Sequence, residues 1–326
     1  MPRIVLTRHI APDAERELAR FGELTIWQDD RPIPSEVLEQ WTADADACLS
    51  MLTDRIDDHI LGQAPHLRII ANMAVGYDNI DVEAATRHGV MITNTPDVLN
   101  EATAELSWAL MLALMRNMVP ARQAMLDGDW KTWSPNGFLG TEVSGKTLGI
   151  VGLGRIGRSV ARRASAFNMP VIGWQSGHSL LTDNIPRLSR DDFLAQSDII
   201  SVHLPLTSET RGLINQSWFD RMKPTAFLIN TARGPIIDED ALLAALNTGR
   251  LAGAGLDVFD REPVDPSHPL IHHPHVLATP HVGSATVETR RAMALRAAAN
   301  VCAALNGTPP PRLGQSGPIT PENEKC

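Results

Sequence analysis

Three glycines at fixed spacing, Gly152, Gly154 and Gly157, follow the apolar run 147–151 and open a stretch in which Ile156, Val160, Ala164 and Phe167 recur every three or four positions. That pattern is a strand, a tight turn and an amphipathic helix. Gly152 permits the turn, Gly154 lets a pyrophosphate approach the backbone, and Gly157 lets helix and strand pack closely. The helix N-terminus, which begins at Arg155 and Ile156, adds free N–H groups and a positive dipole end. A glycine-rich turn without a ligand is the plain alternative; the strand-turn-helix setting favours a dinucleotide. The next apolar run, 171–174, is followed by Gln175, Ser176 and His178, where a carboxylate usually bonds the ribose hydroxyls. An acid there would repel a 2′-phosphate, so its absence favours NADP(H) and leaves NAD(H) open, although no arginine stands in that loop.

Three further segments fall where strands of the same series end: 230–234, 257–263 and 279–284. They carry Arg233, Glu262 and His281. Each has an ordinary reading when taken alone: a surface cation after a strand, a turn residue before Pro263, a packed histidine after Pro280.

In open α/β sheets, ligands gather at the carboxyl ends of the strands. Between residues 3 and 94, β-like runs at 4–6, 24–27, 47–51, 67–70 and 90–92 alternate with helix-compatible stretches, which predicts a parallel sheet. A second series has strands at 147–151, 171–174, 199–203, 227–230 and 253–258, with helices at 155–167 and 239–246. Residues 100–118 read as a helix apolar on nearly every face between Leu106 and Met115, which predicts burial and points to a subunit interface. The loop after it carries Trp130 and Trp133, large apolar groups that need a cover. An Ala-rich helix over 284–305 is stopped by Asn306-Gly307 and the prolines at 309–311.

Composition narrows the class. A chain of 326 residues, 43% hydrophobic and 21% charged, is long enough for two domains of a globular protein. A net charge of −9 supplies no basic field for nucleic acid. Cys48, Cys302 and Cys326 are an odd set without metal spacing, and the N-terminal residues have no leader pattern, so a reducing, cytoplasmic setting is expected. The longest apolar run, 108–115, falls far short of the roughly 20 residues that span a bilayer. His268, His272, His273 and His275 lie in a Pro-interrupted loop without neighbouring acids or cysteines, so they read as solvated loop histidines and no metal is expected.

These motifs, taken in order with Asn72-Met-Ala-Val75-Gly76-Tyr77-Asp78-Asn79-Ile80-Asp81, resemble the D-isomer-specific 2-hydroxyacid dehydrogenases over nearly the whole chain. The resemblance implies two doubly wound, Rossmann-like parallel-sheet domains. The cofactor domain, 99–283, is inserted into a substrate domain formed by 1–98 and 284–326. It also implies that Arg233, Glu262 and His281 are catalytic, that the backbone N–H groups of Val75 and Gly76 bind the substrate carboxylate, and that Thr103, Leu204, Pro205, Thr231, Ala232, Asp257 and Gly283 lie near the cofactor. The residue types suit the chemistry. Hydride addition to a keto carbon builds charge on oxygen, which a histidine can protonate. A carboxylate orients that ring, and an arginine fork holds the acid while polarising its carbonyl.

Within the family, the segments 96–100, 103–106, 129–135 and 283–286 look most like glyoxylate and hydroxypyruvate reductases. The implied partner is a small 2-keto or 2-hydroxy acid, and the implied assembly is a homodimer. Two roles stand open for Trp133: packing at the interface, or reaching the neighbouring subunit's active site. A 2-hydroxyacid dehydrogenase of broader specificity is an alternative, as is an NAD(H)-binding corepressor, which keeps the same three residues. The compact chain ends favour the reductase.

Overall fold

Parallel strands buried on both faces read as unbroken apolar runs, and the central strands of both sheets are of that kind. The computed structural model describes residues 1–174 and 184–310. It divides into two compact units, Met1–Leu99 with Ser284–Cys326, and Asn100–Gly283.

The first unit runs β1 (Arg3–Leu6), α1 (Pro12–Ala19), β2 (Glu23–Ile26), α2 (Ser35–Thr42), β3 (Ala47–Ser50), α3 (Asp58–Gly62), β4 (Ile69–Asn72), α4 (Val82–Arg87) and β5 (Met91–Thr93). All pairings are parallel, in the order β2-β1-β3-β4-β5. The central strands β3 and β4 are wholly buried, whereas the edge strand β2 has every second residue exposed. Aspartates start two of the helices: Ile60 N–H donates to Asp57 at 3.4 Å and Ala84 N–H to Asp81 at 2.8 Å, satisfying donors that the helix leaves unpaired.

The second unit contains α5 (Asn100–Met115), α6 (Met118–Leu126), β6 (Leu148–Val151), α7 (Arg155–Ala164), β7 (Val171–Trp174), α8 (Arg190–Gln196), β8 (Ile199–Val202), α9 (Gln216–Phe219), β9 (Phe227–Asn230), α10 (Glu239–Asn247), β10 (Gly253–Leu256), α11 (Pro269–His272) and β11 (Val276–Ala278). Its six parallel strands lie in the order β11-β10-β9-β8-β6-β7. The order reverses at β6, so the turns after β6 and β8 open at the switch point where such sheets bind ligands. The chain then returns to the first unit through α12 (Val287–Leu305), which Thr286 caps by accepting from Thr289 N–H at 3.1 Å. The buried alanines Ala294, Ala297 and Ala298 let α12 lie close against β3 and β4.

Residues 100–118 correct the sequence reading in one respect and bear out the expected burial. Asn117 adopts a left-handed conformation, φ 48°, and divides the stretch into α5 and α6. Much of the apolar surface of α5 is also packed inside its own unit, while Leu106, Leu112 and Leu114 stay part-buried. Trp108 stacks on Phe167 at 4.7 Å and donates from Nε1 to the Val160 carbonyl at 3.1 Å. Trp108, Leu110, Met111 and Met115 are all buried. The uncovered apolar surface lies further on: α6 has no buried residue, and Trp130, Trp133, Phe138 and Leu139 after it are exposed. Among the described residues, no helix is long and apolar enough to cross a membrane.

A charge cluster fastens α5 to α7. Glu101 accepts from Ser159 Oγ at 2.7 Å and from the guanidinium groups of Arg162 and Arg163, each at 2.9 Å. The Ser159 hydrogen bond and the two arginines hold its carboxyl down at about 2, from an ordinary 4.5. Because the folded value is depressed, the stabilisation is complete above the unfolded value and is lost as pH falls from about 4.5 through about 2. The side chain is 57% exposed, so solvent screening leaves the cluster worth about 0.5 kcal/mol. Glu101→Gln should lower Tm at neutral pH by about 1–2 °C, measured by calorimetry, with the gap to wild type closing as the buffer is acidified. A gap that stays constant down to the acid limit would show that the carboxylate's charge contributes nothing.

Candidate active site

The glycine turn after β6 tests whether a dinucleotide fits. Gly152 stands at φ +93°, where a Cβ would be strained and would also lie 2.7 Å from the His203 carbonyl oxygen. A Cβ on Gly157 would meet the Gly152 carbonyl at 2.1 Å, so α7 packs on the turn as only glycine allows. By contrast, a Cβ on the exposed Gly154 would meet nothing within 4 Å. No side chain caps α7 at Gly154. An open backbone surface beside an uncapped helix N-terminus suits a pyrophosphate, so the residues fit the group.

Arg155 is exposed and Ile156 part-buried in the first turn of α7. Leu204 is buried with its Cδ2 beside Gly152, and the Pro205 carbonyl accepts from Thr210 Oγ1 at 2.7 Å. Just before them, desolvation pushes the His203 ring down to about 3, so it is neutral; its Nε2 lies 2.8 Å from Ser201 Oγ. Gln175, Ser176 and His178 lie outside the described residues.

The loop after β9 carries Arg233. Asn230 ends that strand and clamps the first residues of the loop: its Oδ1 accepts from Ala232 N–H at 3.0 Å and its Nδ2 donates to the Arg233 carbonyl at 2.9 Å. Gly234 must be glycine, since a Cβ would lie 1.8 Å from the Phe259 carbonyl carbon. This contact of backbone on backbone brings the Arg233 loop against the loop that carries Glu262. Arg233 Nη1 donates to the Ala232 carbonyl at 2.9 Å. Thr231 is buried with its hydroxyl 2.8 Å from Ser107 Oγ, which itself donates to the Thr103 carbonyl at 2.9 Å.

His281 and Glu262 meet at 2.6 Å, from Nδ1 to Oε2. Glu262 Oε1 accepts from Phe259 N–H at 3.0 Å. Burial pushes the Glu262 carboxyl up, but the His281 hydrogen bond, the Phe259 N–H and the charge of Arg233 together hold it below the ordinary value. An ionised carboxylate only accepts, so Nδ1 of His281 carries the hydrogen and Nε2 is left for another partner.

The turn around His281 folds about Asp257, which is 1% exposed. Its carboxylate accepts from Thr279 Oγ1 at 2.6 Å, Val282 N–H at 2.8 Å and Gly283 N–H at 2.8 Å, while its carbonyl accepts from His281 N–H at 2.8 Å. Burial pushes the Asp257 carboxyl up against the pull of these bonds. A Cβ on Gly283 would come within 3.5 Å of Thr103 Cγ2. The second unit therefore joins Thr103, Thr231, Ala232, Arg233, Asp257, Glu262, His281 and Gly283 at the carboxyl ends of its strands.

Val75 and Gly76 belong to the first unit, on the loop after β4. Trp133 stands on an exposed loop with 79% of its surface open. His268 corrects the reading of a solvated histidine: its ring packs edge-on against Phe259 at 6.2 Å, its Nε2 lies 3.4 Å from Glu239, and its Nδ1 is buried. Asn230, Ser107 and Glu239 were not singled out from the sequence. An asparagine closing a strand just before a glycine turn was the one signal available, and it pointed to Asn230.

Comparison with known proteins leads to the same family. Residues 108–283 match the family model for the D-isomer specific 2-hydroxyacid dehydrogenase, NAD binding domain. A glyoxylate reductase of Aeropyrum pernix is 47% identical, with 96% of this chain and 95% of that protein covered. The crystal structure of a Thermus thermophilus protein superposes with a TM-score of 0.91 at 41% identity, covering 98% of this chain and 100% of that one. An NADPH-dependent glyoxylate/hydroxypyruvate reductase from Sinorhizobium meliloti, solved with NADP and malonate, gives a TM-score of 0.82 at 31% identity, covering 98% of this chain and 96% of that one. On the family model that spans more than half of the chain and a likeness that runs almost end to end, the chain belongs to the D-isomer specific 2-hydroxyacid dehydrogenase family of oxidoreductases.

Proposed function

We propose that the protein reduces small 2-keto acids, glyoxylate and hydroxypyruvate foremost, to their 2-hydroxy acids. The observation that carries this reading is the 2.6 Å bond between His281 and Glu262 beside the Arg233 loop. The nicotinamide cofactor supplies the hydride. Nε2 of His281 gives its proton to the oxygen on which charge develops, and Glu262, ionised, steadies the imidazolium and fixes its orientation. Arg233 holds the acid and polarises the carbonyl. The N–H groups of Val75 and Gly76 take the remaining carboxylate oxygen. In this reading the first unit is the substrate domain and the second the cofactor domain, with Thr103, Gly152, Gly154, Arg155, Ile156, Gly157, Leu204, Pro205, Thr231, Ala232, Asp257 and Gly283 lining the cofactor.

The proposal includes a preference for NADP(H), supported by the missing carboxylate after β7 and by the cofactor of the Sinorhizobium meliloti reductase. It includes a homodimer, supported by the exposed apolar side chains of α6 and of the loop with Trp130 and Trp133. A cytoplasmic setting agrees with the buried free thiols of Cys48 and Cys302.

Initial rates with glyoxylate should fall by about a hundredfold to ten-thousandfold in His281→Ala, the range for loss of a general acid, and comparably in Arg233→Ala. Glu262→Gln should keep the hydrogen bond but lose the charge, so the alkaline limb of the reductive kcat profile moves to lower pH; an unmoved limb means Glu262 does not govern the proton donor. A full panel of inert 2-keto acids, with cofactor still bound, would contradict the reductase reading. For the cofactor, kcat/KM should favour NADPH over NADH, and Gln175→Asp should reverse the order. Clear preference for NADH in the wild type would refute that part. In analytical ultracentrifugation the chain should sediment as a dimer, and Trp130→Ser with Trp133→Ser should shift it toward monomer; a monomeric wild type at high concentration would rule the interface out.

A further inference from the structure

The loop after β4 ties its carbonyl groups inward one by one. The Ala74 carbonyl accepts from Thr95 N–H at 2.8 Å and from Thr95 Oγ1 at 3.2 Å. The Val75 carbonyl accepts from Asn94 Nδ2 at 2.8 Å, and the Gly76 carbonyl from Asn72 Nδ2 at 2.9 Å. Among the described residues, the N–H groups of Val75 and Gly76 meet no acceptor.

A peptide group is planar and trans, so its N–H points opposite to its C=O. Holding the Ala74 carbonyl therefore aims the Val75 N–H, and holding the Val75 carbonyl aims the Gly76 N–H. Asn94 and Thr95 perform these two tasks from one short segment after β5. That segment is fixed in turn by α12, where the fully buried Asn300 donates from Nδ2 to the Asn94 carbonyl at 3.4 Å. Asn72 is 0% exposed and Asn94 9% exposed, so each side chain was desolvated to make these bonds. An asparagine buried in this way is placed for its geometry, since an apolar residue would fill the same volume without the desolvation penalty.

We propose that Asn94 is a positioning residue for the substrate carboxylate. It acts through the Val75 carbonyl to aim the Gly76 N–H, with Thr95 doing the same for the Val75 N–H. The inference rests on the reductase reading, in which these two N–H groups bind that carboxylate. Its specific content is that selectivity for an acid over a neutral carbonyl compound depends on a side chain that touches no substrate.

The test compares glyoxylate with its neutral methyl ester in wild type, Asn94→Ala and Asn94→Asp. Tm and NADPH affinity by fluorescence titration are measured on each variant. A misaimed donor pair should raise KM for glyoxylate roughly tenfold to a hundredfold, the scale of a one-ångström misplacement. The drop in kcat should be smaller, and the ester rate and NADPH affinity should hold, so the acid-to-ester ratio falls by the KM factor. Asn94→Asp keeps the volume while removing the amide donor, so it should show the same fall in the acid-to-ester ratio, with a lower Tm from the buried carboxylate. An unchanged ratio in both variants overturns the proposal, as does an equal fall for acid and ester, which marks general damage. If the wild type does not reduce glyoxylate or does not favour it over the ester, the reductase reading fails and the role of Asn94 fails with it. If the wild type behaves as proposed and only the variants do not, the positioning role alone is wrong.

Discussion

The turn that carries His281 is held by a buried carboxylate, Asp257. His281 sits at φ 52°, a left-handed conformation that side-chain-bearing residues adopt only when their surroundings hold them there. Asp257 supplies that hold by accepting from the residues on both sides of it, through Thr279 Oγ1, Val282 N–H and Gly283 N–H. Without this anchor the ring would have no fixed direction, and the Glu262 carboxylate would have nothing to orient. The cost of burying Asp257 is visible in its raised carboxyl, against which three hydrogen bonds work.

Both units use the same device at the end of a central strand. β4 ends in Asn72 and β9 in Asn230, and each side chain reaches forward to the carbonyl of a residue three or four places on. A parallel sheet delivers its loops at the carboxyl ends of its strands, but the sheet itself does not determine how a loop is shaped once it leaves. Buried amides do, because each satisfies backbone groups that would otherwise be lost from water without a partner. Gly234 completes the arrangement in the second unit by letting two backbones touch.

The fold was legible because its signals are local. Apolar runs such as 199–202 and 227–230, together with the glycine turn and its helix, are read from neighbours in sequence. The motif residues of the site were legible for the same reason. What escaped is long-range or conformational. The break at Asn117 is a single left-handed residue inside an otherwise helical composition. The stacking of Trp108 on Phe167 joins distant segments, so a helix apolar all round could not be assigned to a core or to an interface from its own residues. β11 is short and only part-buried, so the sequence marked the strand end before Thr279 but not the strand's own bounds. The bonds of Asn94 to Val75 and of Asp257 to Val282 cross between separate loops, which no periodicity encodes.

The central claim is that His281, braced by Glu262, protonates the substrate's oxygen. A crystal structure of the ternary complex with the nicotinamide cofactor and oxamate, an unreactive 2-keto acid analogue, tests it most directly. The account predicts His281 Nε2 within about 2.6–3.2 Å of the analogue's amide carbonyl oxygen, with Nδ1 still on Glu262 and the oxamate carboxylate on the N–H groups of Val75 and Gly76. An analogue bound with its carboxylate elsewhere, or a His281 ring turned away from that oxygen, would contradict it.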